Sequence, residues 1–276
     1  MFSVLDTRPV APGVTRLEIA APRVARFWKP GQFVIVRVDG EGERIPLTVV
    51  DADPAAGHIT LIVQAVGYTT RRLSQVPTGG EIADVVGPLG RPSEIEAFGH
   101  VAVVGGGVGT AVAFPTARAL QGAGNRVTVI VGARTAAHVI LADEIRDAGC
   151  DLIVATEDGS AGVKGLVTGP LEELIEADIV DRVIAAGPIP MMRAVAETTR
   201  SGAIPTMVSL NPIMVDGTGM CGGCRVRVGG EMKFACVDGP DFDAHLVDFD
   251  GLARRNRTYL EFERAALEAD MPMAAR

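Results

Sequence analysis

The sequence is poor in aromatic residues, in histidine and in positive charge. Aromatic side chains make up 4% of the 276 residues, and there are four histidines. Few side chains are therefore available as stacking platforms for single-stranded nucleic acid. Twenty-six basic against 34 acidic residues give a net charge of -8, which disfavours binding to polyanions. We expect no nucleic-acid partner.

The chain also lacks a targeting segment and an apolar run that would suit a membrane. The first residues, MFSVLDTRPVAPGVTR, do not show the basic and then apolar pattern of a secretory signal. The longest uncharged run, residues 101–117, contains four glycines and Pro115. This composition indicates a turn followed by a helix. We predict a cytoplasmic protein without a membrane span.

Cysteine is scarce as well, but its distribution is informative. Three of the four cysteines, Cys221, Cys224 and Cys236, fall within sixteen residues. In a chain without a secretory signal, such a cluster points to metal or redox chemistry more than to disulfides. Cys150 lies apart from them, between a predicted helix and strand, and is interpreted as a small core residue.

Residues 1–97 are predicted to form a small antiparallel β-barrel. Short segments rich in β-branched residues recur there, each bounded by glycine, proline or aspartate, and none is long enough for an ordinary helix. The pattern is typical of a barrel of short strands. The predicted strands are residues 15–20, 32–39, 45–50, 58–66 and 81–86.

Residues 98–205 change to alternating strands and helices. This alternation predicts a doubly wound parallel sheet with helices on both faces, in which ligands bind at the carboxyl ends of the strands. The predicted strands are residues 101–104, 126–131, 151–156, 182–186 and 206–210, and the predicted helices are residues 109–120, 137–147, 171–176 and 190–200. Residues 206–260 carry the cysteines, and residues 261–276 are predicted to be a helical tail.

The strongest motif is Asp216-GTGM-Cys221-GG-Cys224, followed eleven residues later by Cys236. Plant-type [2Fe–2S] loops use the spacing C-x₄-C-x₂-C with a distant fourth cysteine. Here an aspartate stands at the first position. The glycines of the loop would let the backbone pass close to a cluster. Three thiolates and one carboxylate would complete a [2Fe–2S] centre, with the oxygen ligand altering its redox potential.

A structural zinc site is the alternative for the same residues. One C-x-x-C pair, a third cysteine and either Asp216 or His245 would supply four ligands. Zinc ribbons usually contain two C-x-x-C pairs, and this sequence contains one. The spacing therefore favours the iron–sulfur cluster, while the fourth ligand stays open between Asp216, water and another side chain.

A glycine-rich run, residues 105–110 (GGGVGT), follows a predicted buried strand and opens a helix. This context indicates a pyrophosphate cradle at a helix N-terminus, and tight packing of strand and helix is the alternative. The acid expected about 20 residues later is replaced by Arg134, so the module is not an ordinary Rossmann dehydrogenase fold. Glu157 and Asp158 after the third strand would bind a ribose or merely form a solvated turn.

These features in this order resemble the ferredoxin–NADP⁺ reductase superfamily. The resemblance covers about residues 1–260 and is most specific at 215–224 (VDGTGMCGGC) and 235–240 (ACVDGP). The chain is most similar to the branch that contains the electron-transfer subunit of dihydroorotate dehydrogenase, the β subunit of sulfide dehydrogenase and the small subunit of NADH-dependent ferredoxin:NADP⁺ oxidoreductase. In the dihydroorotate enzymes the first ligand is cysteine, so Asp216 favours the ferredoxin:NADP⁺ type.

The resemblance implies an N-terminal antiparallel Greek-key barrel that binds FAD, a central α/β domain that binds NAD(H), and a C-terminal [2Fe–2S] region. Thr48 would lie near the reactive nitrogen of the flavin. The family places an arginine three residues before this position, where this chain has Ile45, and Arg44 lies one step earlier on a strand whose faces alternate. The implied FAD contacts are Arg44, Pro46, Leu47, Thr48, Ile62, Val63, Gln64, Gly67, Thr69 and Thr70.

For the other two cofactors the resemblance implies two further sets of residues. The implied cluster ligands are Asp216, Cys221, Cys224 and Cys236. The implied NAD(H) contacts are Gly106, Gly107, Val108, Gly109, Thr110, Glu157, Asp158, Gly187, Pro188 and Met191.

The predicted function is electron transfer between NAD(H), FAD and the cluster, and onward to a larger flavin/iron–sulfur partner subunit, through which ferredoxin is reached. No catalytic acid or base is expected, because a flavin itself converts a two-electron hydride into single electrons. The alternatives are the electron-transfer subunit of a dihydroorotate dehydrogenase and a non-redox binding module with a structural zinc.

Overall fold

A computed structural model of the chain describes residues 1–40, 42–177 and 179–270. Its strands form two seven-stranded sheets and one two-stranded hairpin. The first sheet is antiparallel and the second is mainly parallel with helices around it. The predicted fold class, a barrel followed by an α/β domain, is confirmed.

The first sheet is a nearly closed barrel, in the order β6-β1-β2-β5-β4-β3-β7. Alternate residues of its strands point inward, as with the buried Leu17 and Ile19 of β2. Strands β6 and β7 lie at the two opposite edges of this sheet. They are consecutive in the chain, so the backbone connects the two edges of the barrel. The strands are β1 (Phe2–Ala11), β2 (Val14–Ala20), β3 (Phe33–Arg37), β4 (Arg44–Asp53), β5 (His58–Gln64), β6 (Glu81–Ile82) and β7 (Asp84–Leu89), with the helices α1 (Pro22–Phe27) and α2 (Tyr68–Ser74).

Three elements of the barrel domain were not predicted. β1 was missed because most of its side chains are exposed or half-buried, so it lacks a buried apolar face of the usual kind. The helices α1 and α2 have six and seven residues, and helices this short give no clear period in a sequence. Both depend on packing against β5.

The second sheet has the order β11-β10-β9-β8-β12-β13-β16. Its central strand β8 is buried along its whole length, as expected for a sheet covered on both faces. The elements are β8 (His100–Gly106), α3 (Gly109–Gly122), β9 (Arg126–Ala133), α4 (Ala142–Asp147), β10 (Asp151–Thr156), β11 (Val163–Lys164), α5 (Thr168–Glu176), β12 (Arg182–Ala186), α6 (Ile189–Arg200), β13 (Thr206–Ser209) and β16 (Asp241–Asp243).

The C-terminal region is joined to this sheet. Its strand β16 pairs antiparallel with β13. The boundary predicted after residue 205 therefore separates β13 and β16 from the other strands of the second sheet. The remaining elements are the hairpin β14 (Arg225–Val228) and β15 (Glu231–Phe234) and the helices α7 (Ala235–Asp238), α8 (Phe249–Asn256) and α9 (Leu260–Asp270). Of the predicted tail, residues 271–276 lie outside the described residues.

The predicted helix over residues 137–147 is wrong in its first half. The chain forms a 3₁₀ turn at Ala136–His138, and α4 begins at Ala142. Leu141 between them has a φ of 60°, which no α-helical residue adopts. Leu141 and Ile145 are four residues apart and pack in the same hydrophobic cluster, and this spacing in the sequence imitates one face of a continuous helix.

No helix in the described ranges is long and apolar enough to cross a membrane.

The link between the barrel and the α/β domain is fixed by one buried amide. The Asn125 side chain accepts hydrogen bonds from the backbone N–H groups of Phe98 (2.7 Å) and Gly99 (3.1 Å). It donates to the carbonyl oxygens of Glu96 (2.8 Å) and Leu120 (2.9 Å). The amide therefore ties the connecting segment to the C-terminal end of α3.

We predict that Asn125→Ala lowers the free energy of unfolding by about 2–4 kcal/mol, because it removes four hydrogen bonds made by a buried amide. Asn125→Asp keeps the two accepted bonds but turns a carboxylate oxygen toward the carbonyl oxygens of Glu96 and Leu120, so it should cost at least as much. Urea unfolding followed by circular dichroism measures both. Equal stability of the alanine variant and wild type would contradict this role.

His100 is a second buried polar group, at the N-terminal edge of the second sheet. Its Nε2 lies 2.8 Å from the Thr128 hydroxyl oxygen, and 7% of the residue is exposed. Burial lowers the pKa of His100 below its ordinary 6.5, and the nearby Arg126 lowers it further. The imidazole is therefore held neutral in the folded protein.

Because the folded pKa of His100 lies below the unfolded one, the unfolded chain takes up a proton first as the pH falls. We therefore predict that the free energy of unfolding contributed by His100 decreases as pH falls through about 6.5. Urea titrations between pH 8 and pH 5 should show a shallower pH dependence for His100→Asn than for wild type. An identical slope for His100→Asn and wild type would contradict the prediction.

Candidate functional site

A cavity of about 820 Å³ lies between the barrel and the carboxyl edge of the second sheet. Its volume is that of a site for a large cofactor or ligand. Strands β4 and β5 form the barrel side, and the loop between β8 and α3 forms the opposite side together with the turn before α6. The predicted binding edge of the parallel sheet and the predicted flavin strands therefore face one shared space.

Most of the predicted cofactor contacts line this cavity. On the barrel side they are Pro46, Leu47, Thr48, Ile62, Val63, Gln64 and Thr70. On the α/β side they are Gly106, Gly107, Val108, Gly109, Glu157, Gly187, Pro188 and Met191.

Five predicted contacts are not among the residues that line the cavity. Arg44 is exposed at the start of β4, where it lies opposite Arg37 in the antiparallel register of β3 and β4. Gly67 is the N-cap of α2, and the Thr69 hydroxyl donates to Glu43 at 3.2 Å. These three residues lie on the barrel, beyond the wall of the cavity.

The other two lie on the α/β side. Thr110 is buried at the start of α3, packed against Gly105. The Asp158 carboxylate accepts hydrogen bonds from the backbone N–H (2.9 Å) and hydroxyl (2.6 Å) of Ser160. These bonds hold the pKa of Asp158 below its usual range, the hydroxyl contributing most. Asp158 thus stabilises its own turn, and Glu157 is the acid that faces the cavity.

Sequence reasoning missed several parts of the wall. One comes from the turn after β11, residues 165–168, and another from the segment after β13, residues 209–212. Both segments lie beyond the carboxyl ends of parallel strands, where ligands bind in such sheets. The first segment would have been predicted by this rule if β11 had been recognised as a strand. Phe33 and Pro240 also line the cavity, and neither was predicted as a cofactor contact.

The glycine-rich loop lets α3 pack closely against the sheet and leaves open space beside its backbone. A Cβ on Gly109 would lie 2.2 Å from the Ala186 carbonyl oxygen, and one on Gly105 would lie 2.6 Å from the Thr110 Cα. These two glycines allow α3 to approach the sheet closely. Gly107 has a φ of 55° with nothing within 4 Å of its Cβ position, so its surroundings are open. The loop therefore presents backbone at the N-terminus of α3, where the helix dipole favours phosphate.

The cysteine loop brings two thiols into contact. Cys224 and Cys236 are buried with their Sγ atoms 3.1 Å apart, and burial together with Cys224 raises the pKa of Cys236 to about 12. Cys221 is exposed, and the Gly223 N–H points to its Sγ at 3.4 Å. Backbone N–H groups that point at sulfur would stabilise the thiolates of a metal centre and orient them.

The carboxylate of Asp216 is held in the same loop. It accepts hydrogen bonds from the backbone N–H groups of Thr218 (2.8 Å) and Cys221 (2.7 Å). These bonds, that of Thr218 first, hold the pKa of Asp216 below its usual range, so the group is an anion. Asp216 therefore lies beside the backbone of Cys221, and Gly217, whose φ is 74°, makes the turn between them.

In the part of the chain that the structure describes, no three side chains among His, Cys, Asp and Glu are arranged to hold a metal ion. The two buried thiols meet, while Cys221 and Asp216 occupy the neighbouring exposed turn. The donor set of three sulfurs and one carboxylate fits an iron–sulfur centre. His245, the histidine considered for zinc, has its Nε2 2.9 Å from the Thr199 hydroxyl oxygen on α6, which weakens the zinc alternative.

The cavity and the cysteine loop are parts of one continuous segment. After β13 the chain passes along the cavity wall at Ser209–Pro212 and Met214, and it then enters the turn at Asp216. A Cβ on Gly217 would lie 2.7 Å from the Leu89 side chain of the barrel, so the loop is packed directly against the barrel.

Comparison with known proteins matches these features to an iron–sulfur domain. Residues 211–248 match the family model for the iron-sulfur cluster binding domain of dihydroorotate dehydrogenase B. The chain is 48% identical, over 94% of its length and 92% of the relative, to the dihydroorotate dehydrogenase B (NAD⁺) electron transfer subunit homolog of Thermotoga maritima. It is 34% identical, over 89% of its length and 97% of the relative, to the dihydroorotate dehydrogenase B (NAD⁺) electron transfer subunit of Bacillus caldolyticus.

Solved structures agree. A chain of the NADH-dependent reduced ferredoxin-NADP oxidoreductase, studied for flavin-based electron bifurcation, superposes with a TM-score of 0.93 at 46% identity, covering 98% of this chain and 97% of that one. Phthalate dioxygenase reductase, at 15% identity and a TM-score of 0.58 over 82% of this chain and 85% of that one, shares the fold. The predicted resemblance is therefore confirmed, and the chain belongs to the family of dihydroorotate dehydrogenase B electron transfer subunits and their homologues.

Proposed function

We propose that the protein is an electron-transfer oxidoreductase subunit that exchanges hydride between NAD(H) and FAD and passes single electrons through a [2Fe–2S] cluster to a partner flavoprotein. One observation carries this proposal. The segment that lines the cavity at Ser209–Pro212 continues without interruption into the loop of Asp216, Cys221 and Cys224. A cofactor in the cavity and a metal centre in the loop would therefore be neighbours.

The cavity residues would bind and orient the two organic cofactors. On the barrel side, Pro46, Leu47 and Thr48 would hold the flavin ring, and Thr70 would lie along the rest of the FAD. On the α/β side, Gly107 and the N-terminus of α3 would hold the pyrophosphate of NAD(H). When bound, a flavin converts a hydride into two single electrons.

The predicted cluster ligands are Asp216, Cys221, Cys224 and Cys236. The two buried thiols would anchor the metal centre in the core, and the exposed Cys221 and half-buried Asp216 would lie on its outer side. Met220 beside them is 88% exposed, so the outer side of the loop is accessible to another protein.

The proteins named as relatives are electron transfer subunits, which implies a partner catalytic subunit. We infer that this partner is a larger flavin/iron–sulfur subunit and that ferredoxin is reached through it. Asp216 favours the ferredoxin:NADP⁺ type, and the names of the relatives favour the dihydroorotate type as the second candidate. Mass spectrometry of the subunit that co-purifies from native cells decides between them. The cytoplasmic location stays a prediction.

The proposal predicts that the anaerobically purified chain contains FAD, iron and inorganic sulfide and absorbs visible light. Cys224→Ser should lose iron and sulfide while retaining flavin, because it removes a ligand and leaves the cavity intact. Cys150→Ser is the matched control: its thiol is buried in a different cluster of core residues, and burial raises its pKa to about 11. Visible spectra with metal and sulfide analysis make the measurement; a colourless protein that contains zinc would contradict the proposal.

A second prediction concerns the nucleotide loop. Gly109→Ala places a methyl group against the backbone of β12, so α3 must move away from the sheet. We expect the KM for NADH in flavin reduction to rise by about tenfold, the factor that corresponds to about 1.4 kcal/mol of lost binding.

Gly122→Ala is the matched control for this variant. It lies at the other end of α3, where nothing occupies the space within 4 Å of the Cβ position, and it should leave the KM for NADH unchanged. A wild-type KM for Gly109→Ala would contradict the role of the loop.

A further inference from the structure

Two side chains of α8 bind the two ends of the segment that runs from the cavity wall to Cys224. Arg255 donates from Nη2 to the carbonyl oxygen of Gly223 at 3.1 Å, and Asn256 donates from Nδ2 to the carbonyl oxygen of Asn211 at 3.0 Å. Gly223 directly precedes Cys224, and Asn211 lines the cavity. Consecutive residues of one helix thus fix both the cavity end and the cysteine end of the same segment.

The helix that carries them is itself well anchored. Phe249 and Leu252 are buried in the core, and the Asp248 carboxylate caps the first turn by accepting from the Gly251 N–H at 2.8 Å. Arg193 of α6 pairs with Asp250 on the exposed side. Because α8 is anchored on both its buried and its exposed side, the backbone that carries Arg255 is held in place next to the loop.

The other cysteine segment is fixed from the barrel side. Arg91 donates from Nε to the Val237 carbonyl oxygen at 3.1 Å, and its backbone N–H donates to the Gly239 carbonyl oxygen at 2.7 Å. The guanidinium of Arg91 also lies 3.8 Å from Asp238, which offsets its charge. Arg255, in contrast, makes no ion pair within the described residues.

We propose that Arg255 is a positioning residue for the metal centre: it fixes the peptide next to Cys224, and its unpaired positive charge favours the reduced state of the cluster. The inference rests on the proposed function. A guanidinium is charged at every accessible pH. Reduction adds one negative charge to the cluster, and net charge and hydrogen bonds near the sulfurs set the potentials of such centres. Since Arg255 is exposed, its effect should weaken as salt increases.

The test uses the full-length chain, purified anaerobically, with redox titrations followed by electron paramagnetic resonance. Arg255→Met should shift the midpoint potential of the cluster to a more negative value, by more than the matched variant Arg254→Met. Arg254 is the preceding residue of α8, is equally exposed, and makes no side-chain hydrogen bond to the loop within the described residues. The shift should shrink when the titration is repeated at high salt.

Arg255→Lys separates charge from geometry. Lysine keeps the charge but lacks the planar fork, so the midpoint potential should stay near that of wild type. Its cluster should nevertheless bleach faster in air, by about fivefold, a factor that corresponds to one net hydrogen bond. Equal potentials for Arg255→Met and Arg254→Met, or wild-type bleaching of Arg255→Lys, would overturn the proposal. Wild-type protein without iron and sulfide would instead overturn the proposed function itself.

Discussion

The structure depends on the packing of the segment after β13 between the barrel, the second sheet and α8. This segment lines the cavity, presses Gly217 against the barrel and ends at the buried pair Cys224 and Cys236. Electrons pass between two cofactors more readily when the cofactors are held close together. Because the segment is continuous and packed against the barrel, it would hold the two sites beside each other.

That no side chain acts as a catalytic acid or base stays a prediction from the sequence. The histidine nearest the cavity is His138, which lines its wall and lies with its Nδ1 2.9 Å from the Thr135 hydroxyl oxygen. His100 and His245 are engaged by threonines elsewhere. In a cofactor enzyme the protein supplies binding, orientation and electrostatics, and the cofactors carry the redox chemistry. Substitutions that alter backbone position, such as those in the glycine-rich loop, should affect activity more than substitutions of single polar groups.

The sequence predicted the parts of the molecule that have a strong local signal. The strand Asp151–Thr156 and the strand Arg182–Ala186 have the predicted bounds, because each is a short apolar run between clear turn signals. The glycine-rich loop was recognised from its position between a buried strand and a helix. The break at Leu141 was missed, since a positive φ at leucine is imposed by tertiary packing and leaves no mark in the residue pattern.

The contacts made across the fold were also beyond sequence reasoning. Nothing local indicates that Asn125 links the two domains, or that Arg255 binds the peptide before Cys224. The strand β16 was missed because three residues that pair with a distant edge show no period of their own. The assignment of all site residues from the sequence remains a prediction, and five of them do not line the cavity: Arg44, Gly67, Thr69, Thr110 and Asp158.

One experiment tests the central claim, that the cavity and the cysteine loop form a single electron path. NADH is added anaerobically to the purified chain, and the same sample is followed by visible absorption and by low-temperature electron paramagnetic resonance. The account predicts that the flavin absorbance bleaches and that the signal of a reduced [2Fe–2S] cluster then appears without any partner protein. Bleaching of the flavin without any change in an intact oxidised cluster, even with excess NADH, would contradict it.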